Sequence, residues 1–213
     1  MPWNSYYFQT ALIHGKSALE IEKENEKSDA ELVELAKADS ESFGLLIERY
    51  QIPLFGYIRR LTQLPKEDAE DLLQEVFIKI YRKLNEYNEL LKFSSWAYRI
   101  AHNHIVDFFR KTNARPKTNS LEEYELEKIL KSETNLEKDF GSKDCLEKMK
   151  VCLEKLPLKY KEVLVLRFLE EKSYEEIMDI LRKPKGSVAT LISRGREALL
   201  GLMKEKGVDC LEK

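Results

Sequence analysis

The chain is 213 residues long and 43% hydrophobic, enough for one large or two small domains with a buried core. Its 36 Lys and Arg nearly cancel its 38 Asp and Glu, so net charge alone names no polyanionic partner. No apolar run approaches the ~20 residues that span a bilayer, and the opening MPWNSYYFQTALIHG lacks the basic flank and compact apolar centre of a signal peptide, so no membrane insertion is expected. Cys145, Cys152 and Cys210 show no metal-binding spacing and are odd in number, which points to a reducing cytoplasm rather than a disulfide framework.

Residues 1–27 carry no clear amphipathic period and end in the charge-rich EIEKENEK, an N-terminal extension. From Ser28, SDAELVELAKADSESFGLLIERY opens on a Ser or Asp helix cap and places Leu32, Leu35 and Ala36 on one face, with a second helix starting near Ser40. PKEDAEDLLQEVFIKIYRKL follows, with Pro65 and acids in its first turn, where the positive end of the helix dipole favours them. Leu72, Leu73, Val76, Phe77, Ile80, Tyr81 and Leu84 form its apolar stripe, leaving Asp71, Gln74, Glu75 and Arg82 outside.

After the polar NEYNELLK, FSSWAYRIAHNHIVDFFRK reads as a helix capped by Ser94 or Ser95, with Trp96, Ile100 and Phe108 among its buried positions. Residues 113–144 read as a flexible linker. A second domain over 145–206 comprises four helices, DCLEKMKVCLEKL, LKYKEVLVLRFLE, SYEEIMDIL and GSVATLISRGREALLGLMK, followed by a tail at 207–213. No period-two pattern occurs in either domain, so the expected fold is all-α with two helical domains.

Charge is unevenly spread. Lys92 to Lys117 holds six basic residues against Asp107, and Arg182 to Lys206 holds seven against Glu197 and Glu205. Between Lys66 and Glu75 the sign reverses, with five acids facing Lys66. Two basic surfaces and one acidic face suit two contacts with one polyanion and a separate contact with another partner.

SYEEIMDILRKPKGSVATLISRGR explains its own interruption. Ser173 and Glu176 have capping-box spacing, Pro184 ends the short helix, and Ser187 restarts a second one carrying Thr190, Ser193, Arg194 and Arg196. That is a helix-turn-helix, whose second helix can enter a major groove, although an ordinary helical hairpin with a solvated basic face has the same pattern. Serine and threonine near a helix start suit phosphate, and arginine suits guanine.

LEKLPLKYKEVLVLRFLEEKSYEEIMDILRKPKGSVATLISRGREAL resembles the promoter-binding carboxy-terminal domain of the extracytoplasmic-function (ECF) sigma factors. SDAELVELAKADSESFGLLIERY, DAEDLLQEVFIKIYRKL and FSSWAYRIAHNHIVDFFRK resemble their amino-terminal domain, in the same order. The resemblance implies sigma region 2 at residues 28–112 and sigma region 4 at 145–206. It implies that Asp71, Gln74 and Glu75 dock on core RNA polymerase, and that Asn85, Lys92, Arg99, Asn103, Arg110 and Lys111 serve the opened -10 element. Arg167, Lys185, Ser187, Thr190, Ser193, Arg194 and Arg196 would serve the -35 element. Many members of the family also have an anti-sigma partner.

The turn departs from the family's Gly-Leu-Pro-Val-Gly-Thr: Arg182, Lys183, Pro184, Lys185, Gly186 and Ser187 stand in those places. The helix end lacks its glycine, and Gly195 lies inside the second helix, at about 1 kcal/mol relative to alanine. Trp96, Phe108 and Phe109 read as core rather than as platforms for bases.

The expected function is a sigma factor that binds core polymerase and promoter DNA and directs promoter recognition, opening and initiation. A stand-alone helix-turn-helix regulator is the alternative. A nucleic-acid enzyme built on His102 and His104 is the third reading. Those two residues read as surface or half-buried, and the sequence lacks metal spacing and a Gly-rich phosphate loop. No cofactor, metal, catalytic residue or small-molecule substrate is expected.

Overall fold

The computed structural model describes residues 27–112, 149 and 151–206. The expected extension up to Glu26, the linker, Cys145 and the tail with Cys210 lie outside them. Every regular element among the described residues is helical: α1 (Asp29–Ala38), α2 (Phe43–Thr62), α3 (Lys66–Lys83), α4 (Phe93–Lys111), α5 (Leu158–Leu164), α6 (Tyr174–Leu181) and α7 (Lys185–Glu205).

Local chemistry sets the ends of these helices. Ser28 caps α1 in a reciprocal box: its N–H donates to Glu31 Oε2 at 2.7 Å, and the Glu31 N–H donates to Ser28 Oγ at 3.3 Å. Asp39 accepts from the Ser42 N–H at 3.1 Å, turning the chain into α2. Pro65 precedes α3, whose first turn carries Glu67 and Asp68. α4 begins one residue before the expected serine caps: its N-cap is Lys92, Phe93 is helical, and Ser95 is buried.

The core of the first domain runs along α2, where Leu46, Leu54, Tyr57 and Ile58 are at most 1% exposed. α3 adds Leu72, Val76 and Ile80, and α4 adds Ala97, Ala101 and Ile105. Burial of the Val, Leu and Ile side chains among these stabilises by about 1.5–3 kcal/mol each. Trp96 is buried as expected, against Tyr87 and Phe93. Ile100, Phe108 and Phe109 are half-buried, and Tyr81, expected in the α3 stripe, is 46% exposed at the stripe's edge, where its ring meets Phe43 edge-on.

In the second domain, residues 151–155 are helical and Cys152 is fully buried, a small apolar side chain in the core. The helix expected through Glu170 is interrupted. It is α-helical to Leu164 and winds as a π-helix over Val165–Leu169, with the Glu170 N–H bonded to Val165 O at 3.0 Å. α7 starts at Lys185 behind Pro184, two residues ahead of the expected restart at Ser187.

The departures at the turn now have physical meaning. Arg182 ends α6 in the left-handed region, φ 52°, where glycine carries no Cβ penalty. Arg182→Gly is expected to stabilise the second domain by about 1 kcal/mol, read as a rise in the urea midpoint at unchanged slope. Gly195 is buried, and a Cβ there would stand 3.2 Å from Leu164 Cγ, so its absence lets α7 lie close on α5.

Candidate nucleic-acid interface

α3 turns its acidic side outward. Asp71, Gln74 and Glu75 are exposed, on the side opposite Leu72, Val76 and Phe77. Ile78, 49% exposed, joins them, so the face is acidic with an apolar patch rather than purely solvated. Sequence reading missed Ile78, although it falls one turn from Gln74. Glu75 Oε2 also lies 2.9 Å from His104 Nε2, while Lys79 Nζ lies 2.6 Å from His104 Nδ1.

Both histidines are buried, at 8% for His102 and 5% for His104, against the expectation of surface or half-buried positions. Burial and the neighbouring Lys79 lower the His104 pKa, against the pull of Glu75. Among the described residues no cluster of three or more His, Cys, Asp or Glu has the arrangement of a metal site.

The first basic surface centres on α4 and the loop before it. Asn85, Lys92, Asn103, Arg110 and Lys111 are exposed, and Arg110 pairs along the helix with Asp107 at 3.6 Å. The loop is held by its own chemistry: the Leu90 N–H donates to Asn88 Oδ1 at 2.9 Å, and the Tyr87 ring packs on Phe93 and Trp96. Leu90, which the sequence reading passed over, projects at the loop tip, 90% exposed. Arg99 is half-buried, and its Nε donates to the carbonyl of Asp179 in the second domain at 2.6 Å.

α6 and α7 form the expected helix-turn-helix. Ser173 caps α6 with Glu176 as its reciprocal partner, at 2.9 Å and 3.2 Å. The turn and the first turn of α7 present Arg182, Lys185 and Ser187 to solvent, and Thr190, Ser193, Arg194 and Arg196 follow half-buried. Thr190 Oγ1 donates to the Gly186 carbonyl at 2.8 Å. Arg167 stands apart from this row in its use: its guanidinium lies 5.5 Å from the Tyr174 ring centroid and donates to Lys172 O at 3.1 Å, bracing the loop between the π-helix and α6.

The two domains are packed together, although the sequence suggested only a loose tether. α6 lies on α4, and α2 meets α5 and the π-helix. Glu170, with its side chain 5% exposed, accepts from Arg60 and, at 2.6 Å, from Tyr98 Oη. Burial raises its pKa, opposed by those two partners. Glu162 lies 3.6 Å from His102 Nε2 and 3.7 Å from Lys183 Nζ. Burial pushes Glu162 up to about 7, against the pull of Lys183. Burial also pushes His102 down to about 4, so its ring is neutral at pH 7, with Nδ1 3.1 Å from Tyr57 Oη.

Comparison with known proteins agrees with this architecture. Family models for Sigma-70 region 2 and Sigma-70 region 4 match residues 46–115 and 146–199. The ECF RNA polymerase sigma-E factor of Escherichia coli K12 is 34% identical over 178 residues, covering 81% of this chain and 92% of that protein. Its counterpart in Haemophilus influenzae is 31% identical, covering 81% and 93%. Among solved structures, CnrH in complex with the cytosolic domain of CnrY shares the fold with a TM-score of 0.61 at 22% identity, over 84% of this chain and 99% of that one. The sigma factor RpoE of Bartonella quintana, solved with the anti-sigma factor NepR, gives 0.58 at 21% identity, over 77% and 98%.

The chain belongs to the extracytoplasmic-function family of RNA polymerase sigma factors. The two-domain match favours that reading over a stand-alone helix-turn-helix regulator.

Proposed function

We propose that this sigma factor docks on core RNA polymerase through the outward face of α3, with Asp71, Gln74 and Glu75 as contacts and Ile78 as their apolar neighbour. The first domain, residues 28–112, then meets the opened -10 element. Asn85 and Leu90 lie on or beside the loop that receives an unstacked base, Lys92, Arg110 and Lys111 meet phosphate, and Arg99 and Asn103 line the strand. The second domain, residues 145–206, reads the -35 element with α7 in the major groove. Lys185 and Ser187 position it on phosphate, and Thr190, Ser193, Arg194 and Arg196 face base edges or the backbone beside them. Arg167 supports this reader from behind. The protein works in the cytoplasm as an initiation factor without covalent chemistry of its own, and an anti-sigma factor is among its partners.

The observation that carries this reading is the exposed acidic face of α3, set apart from two basic surfaces on different helices. Holoenzyme assembled from this chain and core polymerase is expected to protect two separated patches of a promoter from cleavage. Strong protection by the chain without polymerase would overturn the assignment in favour of the regulator.

Within that footprint the α7 residues separate by role. Lys185→Ala is expected to lower the log–log salt slope of promoter binding by about 1 with little change in sequence preference. Arg194→Ala is expected to cost about 1–3 kcal/mol and relax discrimination at one base pair of the -35 element. Competition binding across single-base variants at several salt concentrations reads both.

A further inference from the structure

The acidic row on α3 is followed by a cation. Asp71, Glu75 and Lys79 stand four residues apart and are neighbours along the helix, and a glutamate four residues ahead of a lysine is the favoured order for a direct ion pair. Lys79 turns elsewhere. It is half-buried, and its ammonium donates to His104 Nδ1 at 2.6 Å, where α4 packs on α3.

The groups around His104 fix its tautomer. An ammonium has donors only, so the nitrogen that meets Lys79 must offer a lone pair, and the ring proton falls on Nε2. Nε2 is shut off from water and makes no aligned hydrogen bond, and Glu75 Oε2 stands 2.9 Å away, so a buried N–H faces a carboxylate at close range. Burial and Lys79 lower the ring's pKa and favour the same uncharged form, against the pull of Glu75 and Asp107. The Glu75 carboxylate itself remains in water, with its side chain 64% exposed. Leucine would fill the space between the helices as well as histidine does, yet it would offer neither nitrogen to the two charged groups of α3.

A carboxylate already paired with a lysine serves a partner poorly. Either the pair breaks on docking, or its cation is carried into the interface against the cations that an acidic face attracts. We infer that His104 is a positioning residue for polymerase docking: it draws Lys79 away from Glu75 and steadies the Glu75 carboxylate, so that Asp71 and Glu75 meet core polymerase with their charge uncancelled. This rests on the docking face proposed above. His104 is buried and acts through Glu75, touching no partner itself.

The test measures equilibrium binding of the full-length chain, labelled at its amino terminus, to core bacterial RNA polymerase, with a thermal melt of each variant. His104→Leu frees Lys79 to pair with Glu75 and is expected to weaken binding by about fivefold or more. Adding Lys79→Met removes the freed cation and is expected to bring binding back to within about twofold of the unaltered chain. The same Lys79→Met is expected to gain less in the unaltered chain, where His104 already diverts that charge. His104→Asn keeps an acceptor for Lys79 and is expected to lose less than His104→Leu. In a Glu75→Gln background, His104→Leu is expected to cost no more than about twofold, since the carboxylate it serves is gone. A loss caused only by a loosened α4 would persist in both backgrounds.

Nitrogen NMR of the free chain reads the ring without polymerase, with the His104 signals assigned from their absence in His104→Leu. Nε2 is expected to carry the proton, and the Nδ1 signal to move in Lys79→Met. Unchanged binding in His104→Leu, an equal loss in His104→Asn, a loss that Lys79→Met does not relieve, an undiminished loss in the Glu75→Gln background, or a proton on Nδ1 of a ring unprotonated at Nε2 would each overturn the role of His104. Failure of the unaltered chain to bind core polymerase, or binding indifferent to Asp71→Lys, would instead overturn the docking face on which it rests.

Discussion

Reversing the charge of the outward face of α3, by Asp71→Lys with Glu75→Lys, is expected to weaken association with core polymerase by about a hundredfold or more while the protein stays folded. Like charges set against each other across an interface cost several kcal/mol, and about 2.7 kcal/mol is already a hundredfold. Both residues are exposed, and surface substitutions usually change stability by no more than about 0.5 kcal/mol. Glu75 also meets His104, so Asp71→Lys alone isolates the docking effect from any local loosening of that contact. Equilibrium binding to core enzyme and a thermal melt, read together, check the claim: affinity falls and the melting temperature holds.

The second large effect concerns two glycines of one helix. Gly195→Leu is expected to destabilise the second domain by about 3 kcal/mol and to abolish -35 recognition. Its Cβ alone would stand 3.2–3.4 Å from three atoms of Leu164, a side chain only 2% exposed with little room to move. α7 would have to lift from α5 and lose its aim. At Gly186, in the first turn of α7, an added Cβ meets nothing within 4 Å, and Gly186→Ala is expected to be neutral or stabilising by about 0.5–1 kcal/mol. Urea denaturation of the two variants reads the difference.

What was legible in the sequence is local. The Ser28–Glu31 and Ser173–Glu176 boxes are set by residues three apart, and the turn at Pro184 by a ring that cannot continue a helix. The outward position of Asp71, Gln74 and Glu75 followed from the 3.6-residue period. The all-helical class and the presence of two domains were readable for the same reason. Small end effects shifted the cap of α4 to Lys92 and the start of α7 to Lys185, because a helix can begin without a side-chain cap where its first turn is packed or flanked by proline.

The seam between the two domains was not legible, since its pairs are distant in the chain. Glu170 is 110 residues from Arg60 and 72 from Tyr98. Glu162 and Glu170 sit in a mildly acidic stretch that looks solvated when read along the chain. His102 resembled a surface histidine because the groups that bury it, from α2 and α5, carry no local signal. Tyr81 failed the other way: it shares a helical stripe with core residues, yet the stripe's edge stays in water.

The most direct test of the account is run-off transcription from a pool of genomic promoter fragments with core bacterial RNA polymerase, with and without this chain. New, specific transcripts that appear with the chain and disappear with Asp71→Lys and Glu75→Lys are the predicted result. The same transcript pattern with and without the chain would contradict the account.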